Sequence, residues 1–191
     1  MTKVYFIRHA KPDYSIHDDY SRPLTQEGLK DCKSVTDFLL DRCITKVFSS
    51  PYKRTVDTIK DFAERVDLKI DIIDDFRERT IDNGWWIEDF NAFAKEQWSN
   101  FDYKLSNGES LNEVQKRNIA ALQCILNENE NKNIVIGTHG TALSTIIHYF
   151  NKKFDYTEFE RIKNYMPYAV CIEFEGMNAI KIEEFGFKVQ A

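Results

Sequence analysis

The sequence predicts an α/β fold: a three-layer α/β/α sandwich with a mainly parallel central sheet. Three short runs typical of strands support this prediction, namely "VYFI" from Val4, "TKVF" from Thr45 and "NIVIG" from Asn133. Each run is followed by small or polar residues and then by a segment with helical periodicity. Strands that alternate with helices in this way form parallel sheets through right-handed crossovers. The length of 191 residues fits one domain over residues 1–191.

Local signals place the elements of the first half of the chain. Thr25 is a suitable N-cap for a helix that we expect to end near Arg42. Pro51 is expected at the first position of the next helix, because its fixed φ suits that position. The run "LKIDII" at residues 68–73 predicts a third strand.

An aromatic-rich helical insertion is predicted at about residues 79–108. It interrupts the alternation of strands and helices, and its helix is expected from Ile87 to about Asn100. Aromatic residues at helical spacing are usually part of a core, whereas many large aromatic residues in a short insertion often line a binding site. We keep the two interpretations, a core helix and a lid over a site, as equal alternatives.

The second half of the chain returns to regular signals. Ser110 and Glu113 have the spacing of a capping box at the start of a helix. From Tyr168 to Val189, two β-like runs flank Gly176, Met177 and Asn178. This pattern predicts a terminal hairpin.

Composition excludes several functional classes. The net charge of −5 argues against a nucleic-acid-binding surface, because phosphate backbones are bound by clustered Lys and Arg. No apolar run approaches the ~20 residues that a membrane span requires, and the first residues lack the features of a signal peptide. We therefore expect a cytoplasmic protein that binds neither nucleic acid nor membrane.

The cysteines and histidines point to a reducing compartment and to chemistry without a metal. The four cysteines form no C-x-x-C pair and lie in apolar-periodic segments, which predicts buried thiols. The four histidines form no H-x-x-x-H or H-E-x-x-H motif. We expect neither a metal nor another cofactor.

Chemically useful residues follow three predicted strands. Because ligands bind at the carboxyl edge of such a sheet, the three junctions should converge on one site. Arginines bind phosphate oxygens through planar donor forks, and a helix start with a glycine presents backbone N–H groups to an anion. The junction residues are Arg8, His9, Arg54, His139, Gly140 and Thr141. Together they predict an anion site, with phosphate as the expected anion.

Six collinear motifs resemble those of the histidine phosphatase superfamily, which has the phosphoglycerate mutase-like fold. They are "RHA" (8–10), "RPLTQEG" (22–28), "SSPYKRTVDT" (49–58), "RERTIDNGWWIE" (77–88), "NGESLNEVQKR" (107–117) and "THGTAL" (138–143). Each motif alone is a weak signal. In this order and at this spacing, spread over most of the chain, they form a strong one.

The resemblance implies a role for each member of the site. His9 would accept the phosphoryl group, while Arg8, Arg54 and His139 would hold its oxygens and stabilise their charge in transit. Glu78 would protonate the leaving oxygen and then activate water. Without the resemblance, Glu78 could not be separated from the neighbouring acidic residues, which are Asp74, Asp75, Asp82 and Glu88.

Some positions depart from the usual family pattern. Ala10 stands where most members have glycine, and Ser15 replaces an asparagine that usually reaches the phosphate. Ser15, Gly140 and Thr141 are predicted to contribute to phosphate binding, Ser15 through its hydroxyl and Thr141 through its backbone N–H. Trp85 and Trp86 are candidate walls of the substrate pocket, which would favour an apolar or aromatic leaving group.

The resulting functional hypothesis is a phosphomonoester hydrolase that acts on a small phosphorylated metabolite through a phosphohistidine. The alternatives are a phosphoglycerate mutase, a protein phosphatase acting on phosphohistidine or phosphotyrosine, and a non-catalytic phosphate-binding module. The expected partner is a small-molecule phosphate ester. A homodimer is left open.

Overall fold

A six-stranded sheet forms the centre of the computed structural model, which describes residues 1–82 and 87–187. The strand order is β3-β2-β4-β1-β5-β6. The first four strands in this order pair in parallel, whereas β5 pairs antiparallel with both β1 and β6. The strands are β1 (Thr2–Arg8), β2 (Ile44–Ser49), β3 (Ile70–Ile72), β4 (Asn133–Thr138), β5 (Tyr168–Glu175) and β6 (Asn178–Gly186).

Helices cover both faces of the sheet. Within the described ranges they are α1 (Gln26–Leu40), α2 (Lys53–Arg65), α3 (Phe90–Ser99), α4 (Leu111–Glu128), α5 (Gly140–Phe150) and α6 (Tyr156–Ile162), with a 3-10 turn at Asp74–Phe76. Helices α1 and α2 pack together on one face, and α4 packs with α5 on the other. None of the described helices is both long and apolar enough to cross a bilayer.

The alternation of side chains in β1 explains the three layers. Val4 and Phe6 lie in the same core cluster as residues of α4 and α5, whereas Tyr5 and Ile7 pack with residues of α1 and α2. A strand with both faces covered is expected to be apolar throughout. Burial of each large apolar side chain contributes about 1.5–3 kcal/mol of hydrophobic stabilisation. The predicted α/β/α sandwich is confirmed.

Several local signals are also confirmed. The Thr25 side chain accepts a hydrogen bond from the backbone N–H of Gly28 at 3.0 Å, so it caps α1. Ser110 and Glu113 form the complete capping box at the start of α4. Strands β5 and β6 form the predicted hairpin, and Gly176 in its turn has a φ of +57°, which favours glycine.

Four element boundaries were wrong. Helix α1 ends at Leu40 rather than near Arg42, and β3 is restricted to Ile70–Ile72. Helix α2 begins at Lys53 with Tyr52 as its N-cap, so Pro51 precedes the helix.

The fourth boundary is the start of α3, which begins at Phe90 rather than Ile87. The Asp89 side chain accepts a hydrogen bond from the N–H of Ala92 at 2.9 Å and so caps the helix there.

The prediction of four buried thiols was correct for Cys32 and Cys171 and wrong for the other two. Cys43 is exposed in the turn between α1 and β2, where it has a φ of 49°. Cys124 is exposed on α4, outside the buried face of that helix. The helical spacing of apolar residues was not enough to show that Cys43 and Cys124 lie outside the core.

The aromatic insertion contributes to the core. Phe93 and Trp98 of α3 are buried, and the Trp98 ring contacts the rings of Phe101, Phe154 and Phe159 at centroid distances of 5.4–6.1 Å. The core interpretation therefore holds for these residues. Trp85 and Trp86, the candidate pocket walls, lie outside the described residues.

Candidate active site

The carboxyl ends of β1, β2 and β4 lie side by side, because β4 pairs with both of the others. Arg8 is the last residue of β1, and Ser49 and Thr138 are the last residues of β2 and β4. The three predicted junctions therefore open at the same edge of the sheet. The candidate residues therefore lie together at the carboxyl edge of the sheet, where open α/β folds bind ligands.

Arg8 is buried beneath this edge. Its Nη1 donates hydrogen bonds to the carbonyl oxygens of Ile162 at 3.0 Å and Tyr165 at 3.3 Å. Its Nε is buried and has no partner among the described residues. A Cβ on Gly140 would lie 3.0 Å from the Arg8 Cζ, so a glycine at that position lets α5 start against the guanidinium. Arg8 is therefore anchored by carbonyl groups rather than by a surface carboxylate.

His9 has a defined tautomer. Its Nδ1 lies 2.8 Å from the carbonyl oxygen of Ala10. A carbonyl can only accept, so Nδ1 carries the hydrogen, and in the neutral ring Nε2 keeps the lone pair. The backbone is held by bonds from His9 N–H to the Thr138 carbonyl and from Ala10 N–H to the Thr58 hydroxyl.

Arg54, in the first turn of α2, is held by Asp19. Its Nη1 donates to the Asp19 carbonyl at 2.6 Å, and its Nη2 lies 3.1 Å from the Asp19 carboxylate. The same carboxylate binds Arg22 at 2.8 Å. Both arginine side chains are 3% exposed, so their positive charges are almost fully buried. Sequence reasoning missed Asp19 entirely and left Arg22 as one letter of a motif.

His139 is oriented by Ser50, which sequence reasoning also did not assign to the site. The Ser50 hydroxyl lies 2.7 Å from Nε2 of His139 and accepts a bond from the N–H of Tyr52 at 3.3 Å. The Ser50 hydroxyl can donate its hydrogen to Nε2, and in that arrangement Nδ1 is the protonated nitrogen of the neutral ring. Nδ1 is buried and has no partner among residues 1–82 and 87–187. In this tautomer it is an N–H donor available to a ligand.

The Glu78 carboxylate lies at the start of α5. Its oxygens accept hydrogen bonds from the backbone N–H groups of Arg79, Thr141 and Ala142 at 2.8, 2.9 and 3.1 Å. This placement differs from the prediction for Thr141, because its backbone N–H is bound to Glu78 rather than left for a phosphate. Glu78 is thereby fixed by three donors at the sheet edge where His9 lies.

A brace from α4 positions the segment that carries Glu78. Arg117 donates from Nη1 to the carbonyl oxygens of Asp75 and Arg77 and from Nη2 to that of Glu78, at 2.6–3.2 Å. It also forms a two-point pair with the Glu109 carboxylate at 2.8 and 3.0 Å. Such bidentate charged pairs fix geometry as well as add energy. Arg117 and Glu109 lie in the motif at residues 107–117, which the sequence analysis quoted without giving either residue a role.

The site is strongly biased toward an anion. Burial, together with the positive charge of Arg54, lowers the pKa of both His9 and His139 well below the usual 6.5. Burial also lowers the pKa of Arg8 and of Arg54. Neutral histidines beside buried guanidinium groups form a place where a bound anion would be stabilised.

A cavity of about 480 Å³ opens at this site. His139 is not part of its lining and lies behind His9, with the two ring centroids 5.3 Å apart. The cavity is lined by Arg8, His9, Arg54, Glu78, Gly140 and Thr141 from the predicted set, and by further residues that include Tyr14, Asp19, Arg22, Arg79, Ile81, Ile87, Phe90 and Lys163. Ser15, which was predicted to bind phosphate, is not part of the lining, and its hydroxyl donates a hydrogen bond to the Asp13 carboxylate at 2.7 Å. In the described ranges, His, Cys, Asp and Glu do not form a cluster of three or more that could hold a metal.

Comparison with known proteins agrees with this geometry. A sequence model of the histidine phosphatase superfamily (branch 1) matches residues 4–182, which is nearly the whole chain. This chain belongs to the histidine phosphatase superfamily. The matched range includes Arg8, His9, Arg54, Glu78 and His139.

Two curated relatives in this superfamily have different names. A probable phosphoglycerate mutase (GpmB) of Proteus mirabilis is 28% identical over 161 residues, covering 77% of this chain and 74% of the relative. Phosphoserine phosphatase 1 of Hydrogenobacter thermophilus is 26% identical over 155 residues, covering 73% and 71%. Its curated relatives therefore include a protein named as a phosphatase and one named as a probable mutase.

Two solved structures share the fold of this chain. Phosphoserine phosphatase from Entamoeba histolytica, in complex with 3-phosphoglyceric acid, superposes with a TM-score of 0.80 at 22% identity, and 98% of each chain is covered. A mycobacterial glucosyl-3-phosphoglycerate phosphatase bound to inorganic phosphate gives 0.75 at 16% identity, with 99% of each chain covered. The phosphoglycerate mutase-like architecture is thus confirmed.

The Ser50 contact gives a first testable prediction. We expect Ser50→Ala to lower kcat for phosphomonoesters by about 10-fold, because the alanine cannot hold His139 in the tautomer that donates from Nδ1. KM should change less than kcat if Nδ1 acts mainly on charge that develops during transfer. Steady-state kinetics with p-nitrophenyl phosphate measures both.

Ser49→Ala is the matched control for this prediction. Ser49 is equally buried and adjacent in sequence, but its hydroxyl donates to Thr55 at 3.2 Å and not to His139. We expect kcat of Ser49→Ala to stay within about 2-fold of wild type, since a neutral hydrogen bond outside the site affects stability more than catalysis. Equal losses in the two variants would contradict the role given to Ser50.

The lowered histidine pKa values predict a stability change with pH. Below pH 6.5 an unfolded histidine binds a proton that folded His9 does not bind. The stabilisation is therefore present above pH 6.5 and is lost as the pH falls. Between pH 7.5 and 5.5 the loss in free energy of unfolding is about 1.4 kcal/mol for such a histidine. Urea denaturation at both pH values, for wild type and His9→Asn, should give wild type the larger loss by about that amount.

The His9→Asn comparison isolates one group, because the other titrating residues are common to both proteins. Parallel pH profiles for the two proteins would mean that His9 is protonated to the same extent in the folded and unfolded states. That result would contradict the assignment of a buried neutral ring.

Proposed function

We propose that this protein is a phosphatase that hydrolyses small phosphomonoesters through a phosphohistidine on His9, without a metal. The main supporting observation is that His9 is buried and neutral, with its Nδ1 hydrogen-bonded to the Ala10 carbonyl. Arg8 and Arg54 place positive charge beside it. A neutral imidazole with a free Nε2 lone pair is a nucleophile, and a cationic setting attracts the phosphate.

In the first step, Nε2 of His9 attacks the phosphorus, and the bond from phosphorus to the ester oxygen breaks. The leaving oxygen takes a proton from the protonated Glu78 carboxyl, which is held at the start of α5. Arg8, Arg54 and Nδ1 of His139 donate hydrogen bonds to the phosphoryl oxygens and stabilise their charge during transfer. The products of this step are an alcohol and a phosphohistidine.

In the second step, a water molecule attacks the phosphorus and gives a proton to the Glu78 carboxylate. The bond between phosphorus and Nε2 breaks, and inorganic phosphate leaves. Glu78 is then protonated again and His9 is again neutral, so both groups are ready for the next turnover. Arg117 supports both steps by holding the backbone that carries Glu78.

A phosphoglycerate mutase is the second candidate, because the curated relatives include proteins named as probable phosphoglycerate mutases. The two activities share the phosphohistidine and differ in the acceptor, which is water for a phosphatase and a second hydroxyl for a mutase. Two assays distinguish these activities. A mutase converts 3-phosphoglycerate to 2-phosphoglycerate when primed with a bisphosphoglycerate, whereas a phosphatase releases inorganic phosphate.

The test of the proposed function is hydrolysis of p-nitrophenyl phosphate and alkyl phosphates with EDTA present. We expect turnover that resists EDTA. After an alkaline quench we expect a phosphorylated His9 peptide that loses its phosphate in acid. Turnover that requires a divalent metal, or a phosphoryl group on another residue, would overturn the proposal.

We also propose a cytoplasmic location. The support is the set of four unpaired thiols, of which Cys43 and Cys124 are exposed. Exposed free thiols persist in a reducing compartment and oxidise outside it. Fractionation of cells and detection of the protein in the soluble cytoplasmic fraction tests this location.

A further inference from the structure

Asp19 lies in the loop between β1 and α1 and lines the same cavity as Arg54 and Arg22. One oxygen of its carboxylate, Oδ1, lies 3.1 Å from Nη2 of Arg54 and 2.8 Å from Nη1 of Arg22. The two arginine side chains are almost fully buried, whereas the Asp19 side chain is 28% exposed. The anion that neutralises Arg54 in the structure is therefore partly exposed at the cavity wall.

Arg54 has few donors left for a phosphoryl group. Both of its η nitrogens contact Asp19, and its Nε is buried without a partner among the described residues. A guanidinium binds an oxyanion best through two parallel N–H groups. A phosphoryl group that accepts from two nitrogens of Arg54 therefore shares at least one η nitrogen with Asp19. Two anions at one guanidinium repel each other, and the repulsion is strong where little water screens it.

Arg22 gives the Asp19 carboxylate a second cation to bind. Nε and Nη2 of Arg22 donate to the carbonyl oxygens of Ile16 and His17 at 2.7 and 3.3 Å, which fixes the guanidinium. A carboxylate that turns away from Arg54 keeps its ion pair with Arg22. Its displacement therefore leaves no buried carboxylate without a partner, which would be costly.

Other contacts hold Arg54 in place. Its Cζ lies 4.9 Å from the centroid of the Tyr52 ring, which is a cation–π contact. The backbone N–H of Lys53 donates to the Tyr20 carbonyl at 3.0 Å, so main-chain contacts join the loop to the start of α2. The exchange of one anion for another at Arg54 therefore requires only a rotation of the Asp19 side chain.

We propose that Asp19 competes with phosphate for Arg54 and so limits how tightly the site binds its product. This inference rests on the proposed phosphatase function and concerns the release of its product. The entering phosphoryl group would displace the carboxylate toward Arg22, and the return of the carboxylate would favour departure of inorganic phosphate. Buried guanidinium groups without such a competitor would hold a phosphate dianion more tightly, and slow release of product limits turnover.

A different role for Asp19, that of only orienting Arg54, predicts the opposite result. An orienting carboxylate improves the fit of Arg54 to phosphate, so its removal would weaken phosphate binding. A competing carboxylate opposes phosphate, so its removal strengthens phosphate binding. The sign of the change in affinity therefore separates the two roles.

The experiment measures the dissociation constant of inorganic phosphate by calorimetry for wild type, Asp19→Asn and a control. We expect Asp19→Asn to bind phosphate about 10-fold more tightly, because a competing negative charge beside a buried guanidinium is removed. The control is Asp13→Asn, which removes the same charge from the same loop outside the cavity lining. Its Oδ1 can still accept the two hydrogen bonds from Ser15. The control should bind phosphate within about 2-fold of wild type.

Inhibition kinetics with p-nitrophenyl phosphate give a second measurement. The inhibition constant of inorganic phosphate should fall in Asp19→Asn by about the same factor as the dissociation constant, while KM for the ester does not rise. A residue that only orients Arg54 would raise both constants.

The calorimetric measurement separates this inference from the phosphatase proposal. Tighter binding of phosphate by Asp19→Asn, without turnover of any ester by wild type, would contradict the phosphatase function and support competition by Asp19. Unchanged or weaker binding in folded Asp19→Asn, or an equal gain in Asp13→Asn, would overturn the competition. Thermal melting establishes that Asp19→Asn is folded. If it is not, Asp19→Ser, which leaves room for water beside the two guanidinium groups, decides the same question.

Discussion

Replacement of His9 by alanine should abolish hydrolysis of phosphomonoesters, with a loss in kcat of about 10⁴-fold or more. The physical reason is that Nε2 of His9 supplies the electron pair for the new bond to phosphorus. His139 cannot substitute for it, because its Nε2 is bonded to Ser50. Steady-state release of inorganic phosphate, together with trapping of the phosphoenzyme, measures this effect.

The same variant should still bind phosphate. Arg8 and Arg54 remain, and removal of the His9 ring takes away no positive charge, because that ring is neutral at pH 7. We expect inorganic phosphate or vanadate to raise the Tm of both wild type and His9→Ala. The matched control is His17→Ala, which changes an exposed histidine and should keep kcat within about 2-fold of wild type. Retention of turnover in His9→Ala would refute the phosphohistidine mechanism.

The sheet and its edge could be predicted because they depend on short-range patterns. Apolar runs of four or five residues, each followed by a helix start, suffice to place Arg8, Arg54 and His139 at one edge. Strand pairing then follows from general rules for α/β folds. The helix starts at Thr25 and Ser110 were predictable for the same reason, since a cap acts within one turn.

The contacts that orient the site could not be predicted from short-range patterns. Asp19 lies in a polar loop and reaches Arg54 across 35 positions, while Ser50 reaches His139 across 89. Both are common residue types in loops and turns, so composition gives no signal for them. Their function depends on tertiary geometry alone.

The sequence alone could not show whether Arg79 is a surface residue or part of the cavity wall. An arginine next to an acidic residue usually forms a surface pair, and exposed pairs of this kind contribute little. Only its burial, with Nε unpartnered beside a cavity, separates it from Arg77, which pairs with Asp74 and Glu109. The distinction depends on solvent exposure rather than on sequence spacing.

Replacement of Glu78 by glutamine should slow hydrolysis of alkyl phosphates by about 10²- to 10⁴-fold. An alkoxide is a poor leaving group unless it receives a proton, and the amide of glutamine cannot supply one. The p-nitrophenolate anion leaves without a proton, so formation of the phosphoenzyme from p-nitrophenyl phosphate should be much less affected. A burst of p-nitrophenol followed by slow steady-state turnover is the expected signature, because the amide also cannot activate water.

Glutamine keeps much of the local structure, which makes the comparison a test of proton transfer. Its side-chain oxygen can still accept from the N–H groups of Arg79 and Ala142, whereas its NH₂ group would face the N–H of Thr141. The control is Asp74→Asn, which removes an exposed carboxylate of the same segment and should leave the kinetics of both esters close to wild type. Equal losses on alkyl and p-nitrophenyl phosphates without a burst would assign Glu78 to positioning rather than to proton transfer. A burst with the p-nitrophenyl ester and slow release of the alkyl alcohol would establish that one carboxyl serves both steps, because the same group would then limit departure of the alcohol and attack of water.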